Sequence, residues 1–258
     1  MAPSQHATRL AERLDGVVAL DLTVVDADEV IPGLRSIELE GDLAGFDPWP
    51  GQDLMVSVPP GSDTARWRRY TLRHVDRDAG RLELWVTTAT DGPGAAWALD
   101  AAPGDHVDVV GPRGKIAVTP GVVNHVFCVD ESGLAAAAAM GESIEGPARV
   151  VHFALLLPDP EWAPDDTIAP SCQGGVACMR NVLDASDLDS ALSTVKSTLA
   201  RLDPSTAAAY VFGELRLTRR FTELFAALGF APERVASKPY WRDDRANEAN
   251  GEPDRDAG

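Results

Sequence analysis

The chain has 258 residues, with 23 basic and 40 acidic side chains and a formal net charge of −17. That balance excludes long-range attraction to nucleic acid or to anionic membrane surfaces, and no apolar run is long enough to span a bilayer. Hydrophobic residues at 45% and charged residues at 24% are the balance of a soluble globular protein with one large domain or two ordinary ones.

The opening stretch MAPSQHATRLAERLDG has no apolar core of a secretion signal. Residues 1–16 therefore read as an N-terminal extension, and a cytoplasmic location is expected. Residues 17–119 read as β structure. Segments 17–25, 35–40, 53–58, 68–75, 81–88 and 106–110 are rich in Val, Leu, Ile and Thr, and clusters such as DPWPGQD, PPGSD, DRDAG and APGD punctuate them. Short strands so spaced predict a small antiparallel β-barrel. One helix is expected inside it, GPGAAWALDAA from Gly92, with Pro93 suited to its first turn.

The texture changes at Pro120-Gly121. HVFCVD (125–130) is a short apolar run ending in acid, and an alanine-rich helix follows from Leu134 to about Ser143. RVVHFALLL (149–157), a helix over 188–202, AAYVFGE (208–214) and a helix over 215–228 complete the pattern. Continuous apolar strands alternating with helices predict a parallel sheet covered on both faces, so residues 122–242 are expected to form an α/β domain that follows the barrel in the chain. Residues 158–181 carry four prolines and a Gly-Gly pair and read as a long loop, divided by a short strand at GVACM. Residues 243–258 hold six acids, two arginines and no large apolar side chain, the composition of a disordered acidic tail.

Cys128, Cys172 and Cys178 are an odd set without the close pairing of zinc or iron–sulfur ligands, and buried inert thiols are expected. His6, His74, His106, His125 and His152 are too scattered for a metal cluster, and no metal site is expected. The stretch RWRRYTLRH (66–74) stands out in so acidic a chain. Arg66, Arg68, Arg69, Arg73, Arg77 and Arg81 fall within sixteen residues. Strand alternation puts Arg68, Tyr70 and Leu72 on one face and Arg69, Thr71 and Arg73 on the other. Arg68 with Tyr70 suits a phosphate beside a flat ring, and the helix from Gly92-Pro93 offers N–H groups and the positive end of its dipole. A solvated edge strand with scattered arginines has the same composition.

The order of several motifs decides between these. RRYTLR resembles the R-x-Y-T-x-R flavin motif of the siderophore-interacting proteins, flavoproteins of the ferredoxin-reductase-like superfamily. PGQDLMVSVP, DGPGAAWALDAAPGDHVDVVGPRG (91–114), VDESGLAAAAAM, YVFGEL and SKPYWR resemble further segments of that family, in order, over roughly 17–242. The resemblance implies Arg68 on the FAD phosphates, Tyr70 stacked on the flavin, Thr71 near the reactive ring nitrogen and Arg73 as a further phosphate contact. It implies Thr88 at a flavin contact where the family usually has histidine, and Gly92, Pro93 and Ala95 at the pyrophosphate. Asp130, Glu131 and Ser132, with Gly213 and Glu214, correspond to the nicotinamide site, and Tyr240 and Trp241 to the closing aromatic pair. Tyr70, Thr71 and Glu214 are the residues it sets beside the reacting atoms. Trp97 reads as core. Arg69, Lys238 and Arg242 are candidates for a basic mouth towards an anionic chelate.

The activity implied is FAD-dependent reduction of ferric siderophores with NADH or NADPH, with ferredoxin as another conceivable donor, releasing Fe²⁺ inside the cell. One electron loosens the grip of hard oxygen ligands on iron. The alternatives are a flavin or electron-transfer reductase and a non-catalytic flavin-binding module. The last is raised by Ala135 and Pro239, where the family has proline and glycine. Because the tail has nothing apolar to bury, deleting residues 243–258 is expected to leave the thermal midpoint and flavin content unchanged, whereas truncation from Tyr240 lowers both. Thermal unfolding and flavin fluorescence of the two truncations check this.

Overall fold

The computed structural model describes residues 2–62, 65–146, 148–162, 172 and 174–242; the acidic stretch 243–258 lies outside these. The chain divides into two compact units, Met1–Ala117 and Val118–Gly258.

The first unit opens with a helix the sequence reading did not foresee, α1 (Gln5–Glu12). The Ser4 hydroxyl caps it by accepting from the Ala7 N–H, and Ala7, Leu10 and Ala11 pack with Met55, Val110 and Trp67. Met55 and Val110 alternate with the barrel's inward residues Leu54, Val56 and Val109, so α1 lies on the barrel's outer surface. The strands are β1 (Val18–Ile31), β2 (Leu34–Glu40), β3 (Asp53–Val58), β4 (Arg66–Asp76), β5 (Arg81–Thr87) and β6 (His106–Arg113), with α2 (Pro93–Asp100) between β5 and β6. They close as β1-β2-β5-β4-β3-β6, every pair antiparallel, with β6 returning to β1. Closure leaves no open edge. Leu22, Ile37, Leu54, Leu84 and Val109 fill the interior, and Trp97, Ala98 and Ala101 of α2 join the same core.

The second unit is a five-stranded parallel sheet: β7 (Asn124–Asp130), β8 (Val150–Leu157), β9 (Ala177–Asp184), β10 (Ala207–Glu214) and β11 (Val235–Trp241). The helices are α3 (Leu134–Glu142), α4 (Leu188–Thr198) and α5 (Leu215–Ala227). The order is β11-β10-β7-β8-β9. Val126, Cys128, Ala209 and Val211 face Val195, Phe221 and Phe225 of α4 and α5. On the other face Phe127 stacks between Phe153 and Tyr210, centroids 5.2 and 4.6 Å apart. Alanine-rich α3 is buried almost all round. No helix among the described residues is long and apolar enough to cross a membrane, and no group of metal-ligating side chains is found among them.

The structure corrects the reading of the cysteines. Cys128 is buried and free, but Cys172 and Cys178 form a disulfide, with Cα atoms 6.0 Å apart. Gly174 and Gly175, both with positive φ, turn the chain back between them, and Cys178 lies exposed at the start of β9. Spacing along the sequence did not show this turn. Unfolded, unreduced protein is therefore expected to titrate with one thiol per chain, rising to three after reduction. Three thiols without reductant would refute the pairing.

Candidate functional site

Two groups of side chains stand out, one in each unit. On β4, alternation works as expected. Leu72 is buried in the barrel core, and Tyr70 packs against it. Arg68 and Tyr70 both reach the first turn of α2: a Cβ at Gly94 would collide with the Tyr70 hydroxyl and come within 3.8 Å of Arg68 Cγ. A glycine is therefore required there by close approach. Tyr70 is tilted against Trp97, centroids 5.9 Å apart, and Trp97 is buried as the sequence implied. Burial outweighs the neighbouring Arg68 charge and pushes the Tyr70 phenol well above its ordinary range. Arg68 Nη1 donates to the Trp67 carbonyl at 3.2 Å, while Arg68 Nε is buried with no partner among the described residues. The N–H groups of Gly94 and Ala95 have no acceptor within α2, because a helix leaves its first donors open.

The opposite face of β4 is spent differently. Arg69 is exposed on the strand and grips Asp53 through two hydrogen bonds of 2.9 and 2.7 Å. Thr71 is buried, and the Arg73 guanidinium lies over the Trp85 ring, 5.0 Å from its centroid. Arg77 pairs with Asp47, and Arg81 with Glu38 and Glu40. Thr88 donates its N–H to the Gly33 carbonyl at 2.7 Å, closing the end of β5 onto the β1–β2 turn.

In the second unit the chain runs from β7 to β8 on one side of the sheet and from β10 to β11 on the other. The carboxyl ends of β7 and β10 thus flank the topological switch point, where open α/β sheets place their ligand crevice. Asp130, Glu131 and Ser132 follow from β7, and Gly213 and Glu214 end β10. Asp130 does not face outward. Its carboxylate is buried and accepts from the Ser132 N–H (2.9 Å), the Ser132 hydroxyl (2.6 Å), the Glu214 N–H (2.6 Å) and the Trp241 indole (3.0 Å). Burial pushes its pKa up, and these donors oppose the shift. A Cβ at Gly213, where φ is +139°, would run into the same carboxylate. Glu214, which the resemblance sets beside the reacting atoms, caps α5: its Oε2 accepts from the Arg216 and Leu217 N–H groups. Tyr240 stacks on Phe212 at 5.8 Å, and the Lys238 ammonium lies 5.4 Å over the Tyr240 ring. Glu131 is left at the rim, half-buried. Burial and the Asp130 charge push its pKa up to about 7.

A closed antiparallel barrel followed by this five-stranded parallel sheet is the ferredoxin-reductase-like fold. Within that class, residues 47–116 match the family model described as the siderophore-interacting FAD-binding domain. The chain is 25% identical over 245 residues to the NADPH-dependent ferric-chelate reductase of Escherichia coli (strain K12), covering 86% of this chain and 92% of that protein. The siderophore-interacting protein SipS from Aeromonas hydrophila superposes with a TM-score of 0.75 at 24% identity, covering 88% of this chain and 93% of that one. A siderophore utilization protein from T. fusca gives 0.74 at 22%, covering 90% and 96%. The resemblance to siderophore-interacting proteins expected from the motifs therefore holds. The residues present suit FAD: an Arg68 Nε unpartnered among the described residues, the open N–H groups of α2 and a ring-bearing Tyr70 come together at Gly94, whose missing side chain lets Tyr70 and Arg68 approach the helix closely.

Glu131 supplies a test on the sheet side. A carboxyl whose pKa is raised by folding binds its proton more tightly in the native state. Its contribution to stability is thus fully present below the unfolded value of 4.5 and lost as pH rises through about 7. Glu131→Gln cannot ionise, so it is expected to match the parent near about pH 4 and exceed it at about pH 8 by about 1–3 kcal/mol. Urea unfolding at the two pH values measures this, and a variant that keeps the parent's pH slope would rule out Glu131 as its source.

Proposed function

We propose that the protein is a FAD-dependent reductase of ferric siderophores or related ferric chelates, drawing electrons from NADH or NADPH. The observation that carries this reading is the convergence of Arg68, Tyr70 and the first turn of α2, within a segment matching a siderophore-interacting FAD-binding domain. Flavin accepts two electrons as hydride and can release them singly to Fe³⁺. The chain's own part is to bind and orient. Arg68 offers charge-assisted hydrogen bonds to the diphosphate, and Gly94 and Ala95 N–H groups add the positive end of the α2 dipole. Tyr70, held protonated by its burial, presents its ring to the flavin, with Thr71 and Arg73 behind it on β4.

For the donor, we extend pyridine-nucleotide use from the Escherichia coli relative to this chain and assign it to the switch point between β7 and β10. The inward turn of Asp130 supports that assignment, because it removes one carboxylate from the path of an anionic dinucleotide. Below about pH 7 the raised pKa of Glu131 diminishes the second charge. Asp130 then acts as a positioning residue, holding the ends of β7, β10 and β11 in register around the crevice. The need for a pyridine nucleotide goes with a cytoplasmic location.

Purified protein is expected to be yellow with FAD, and anaerobic NADH or NADPH is expected to bleach it. Ferrous iron, trapped by a ferrous-specific chelator, should appear from a ferric chelate without added free flavin. Iron reduction that needs free flavin or a protein acceptor would favour a flavin or electron-transfer reductase. Flavin that no donor reduces in folded protein would leave a binding module. Arg68→Ala is expected to weaken FAD retention about tenfold or more, from losing about 1.5–3 kcal/mol of charge-assisted hydrogen bonding. Arg77→Ala, which breaks an exposed pair with Asp47, should not.

A further inference from the structure

The far end of α2 is held in an unusual way. After Asp100 the chain leaves the helix, with Ala101 at φ −55°, ψ 126°. The Ala101 N–H returns to the Trp97 carbonyl at 2.9 Å, which leaves the Ala98 and Leu99 carbonyls without a donor from the helix itself. A side chain from β2 supplies it. Arg35 Nη1 donates to Ala98 O at 2.8 Å and to Leu99 O at 2.7 Å, while its Nη2 donates to Ala27 O of β1 at 2.5 Å. One guanidinium therefore ties the last turn of α2 to the barrel wall.

These directional bonds differ in kind from the rest of the helix's seat. Trp97, Ala98 and Ala101 attach α2 to the barrel core through apolar packing, which is non-directional and tolerates sliding. Charge-assisted hydrogen bonds fix position, and the planar fork of arginine is suited to bridging backbone oxygens. A cation at the C-terminal end also complements the helix dipole. With eight residues, α2 is about 12 Å long, so fixing its last turn fixes where its first turn lies against Arg68 and Tyr70.

We propose that Arg35 is a positioning residue for the FAD diphosphate, acting through α2 without touching the cofactor. This rests on the reading of the α2 first turn as the diphosphate site. Riboflavin carries the same ring system without phosphate, so the two ligands separate positioning of that turn from general support of the barrel. The experiment strips flavin from the full-length protein and titrates the parent, Arg35→Gln and Arg35→Lys with FAD and with riboflavin. Flavin fluorescence reports binding, and thermal unfolding confirms that each variant is folded. Arg35→Gln is expected to weaken FAD at least about tenfold and riboflavin less than about threefold, with Arg35→Lys between it and the parent. Should the glutamine variant not fold, the lysine variant carries the same comparison. Equal losses for both flavins, or unchanged FAD affinity, would overturn the role of Arg35. A parent protein that holds riboflavin as tightly as FAD would overturn the diphosphate reading of α2 itself.

Discussion

A carboxylate taken out of water must be compensated by donors close at hand, and Asp130 draws its donors from three strand ends. Ser132 supplies two from the turn after β7, Glu214 one from the end of β10, and Trp241 one from the end of β11. The parallel sheet pairs these strands along their length, but it does not by itself determine how they finish. The shared acceptor does, and it does so at the switch point where the fold opens its crevice. Glu214, whose own carboxylate caps α5, carries the same constraint into the helix that follows. Two acids at this end of the sheet are thus spent on structure, one joining strand ends and one starting a helix.

The barrel handles its arginines by a comparable division of labour. In a chain of net charge −17, six arginines close together suggest one anionic target. The pleat of β4 and the turn into β5 separate five of them instead. Arg69, Arg77 and Arg81 are matched to acids of the barrel, and Arg73 to the face of Trp85. Arg68 alternates to the side where α2 begins, and it brings a buried Nε without a partner to that place.

The barrel strands were legible because Gly and Pro clusters bound each one, and the helices of the second unit because their apolar residues repeat at helical spacing. What escaped the sequence was decided by tertiary contact. α1 has a thin apolar face and is held by docking outside the barrel. β11 is an edge strand with Lys238 and Pro239 in its middle, which masks its period. The motif order pointed to the ends of β7, β10 and β11, which the structure brings together around the Asp130 carboxylate. It did not distinguish a carboxylate that faces a ligand from one that caps a helix or knots a sheet, because that depends on where donors gather in space. The capping role of Glu214 did have a local signal, an acid immediately before a helical apolar stripe. Arg35 had none, since nothing near it in sequence marks the carbonyls it reaches.

The knot at Asp130 also bears on how this sequence can drift. Gly213 is held by two separate demands, a φ of +139° and the carboxylate against its Cα. Losing Asp130 relieves only the second, so replacing that acid does not open position 213 to other residues. Trp241 gives one donor of four, so its replacement still leaves the carboxylate three. Loss of the acid instead strands all four donors at once. The indole is therefore the member of the knot most open to exchange, the acid is costly to replace, and the glycine stays fixed by its backbone even when the acid is gone.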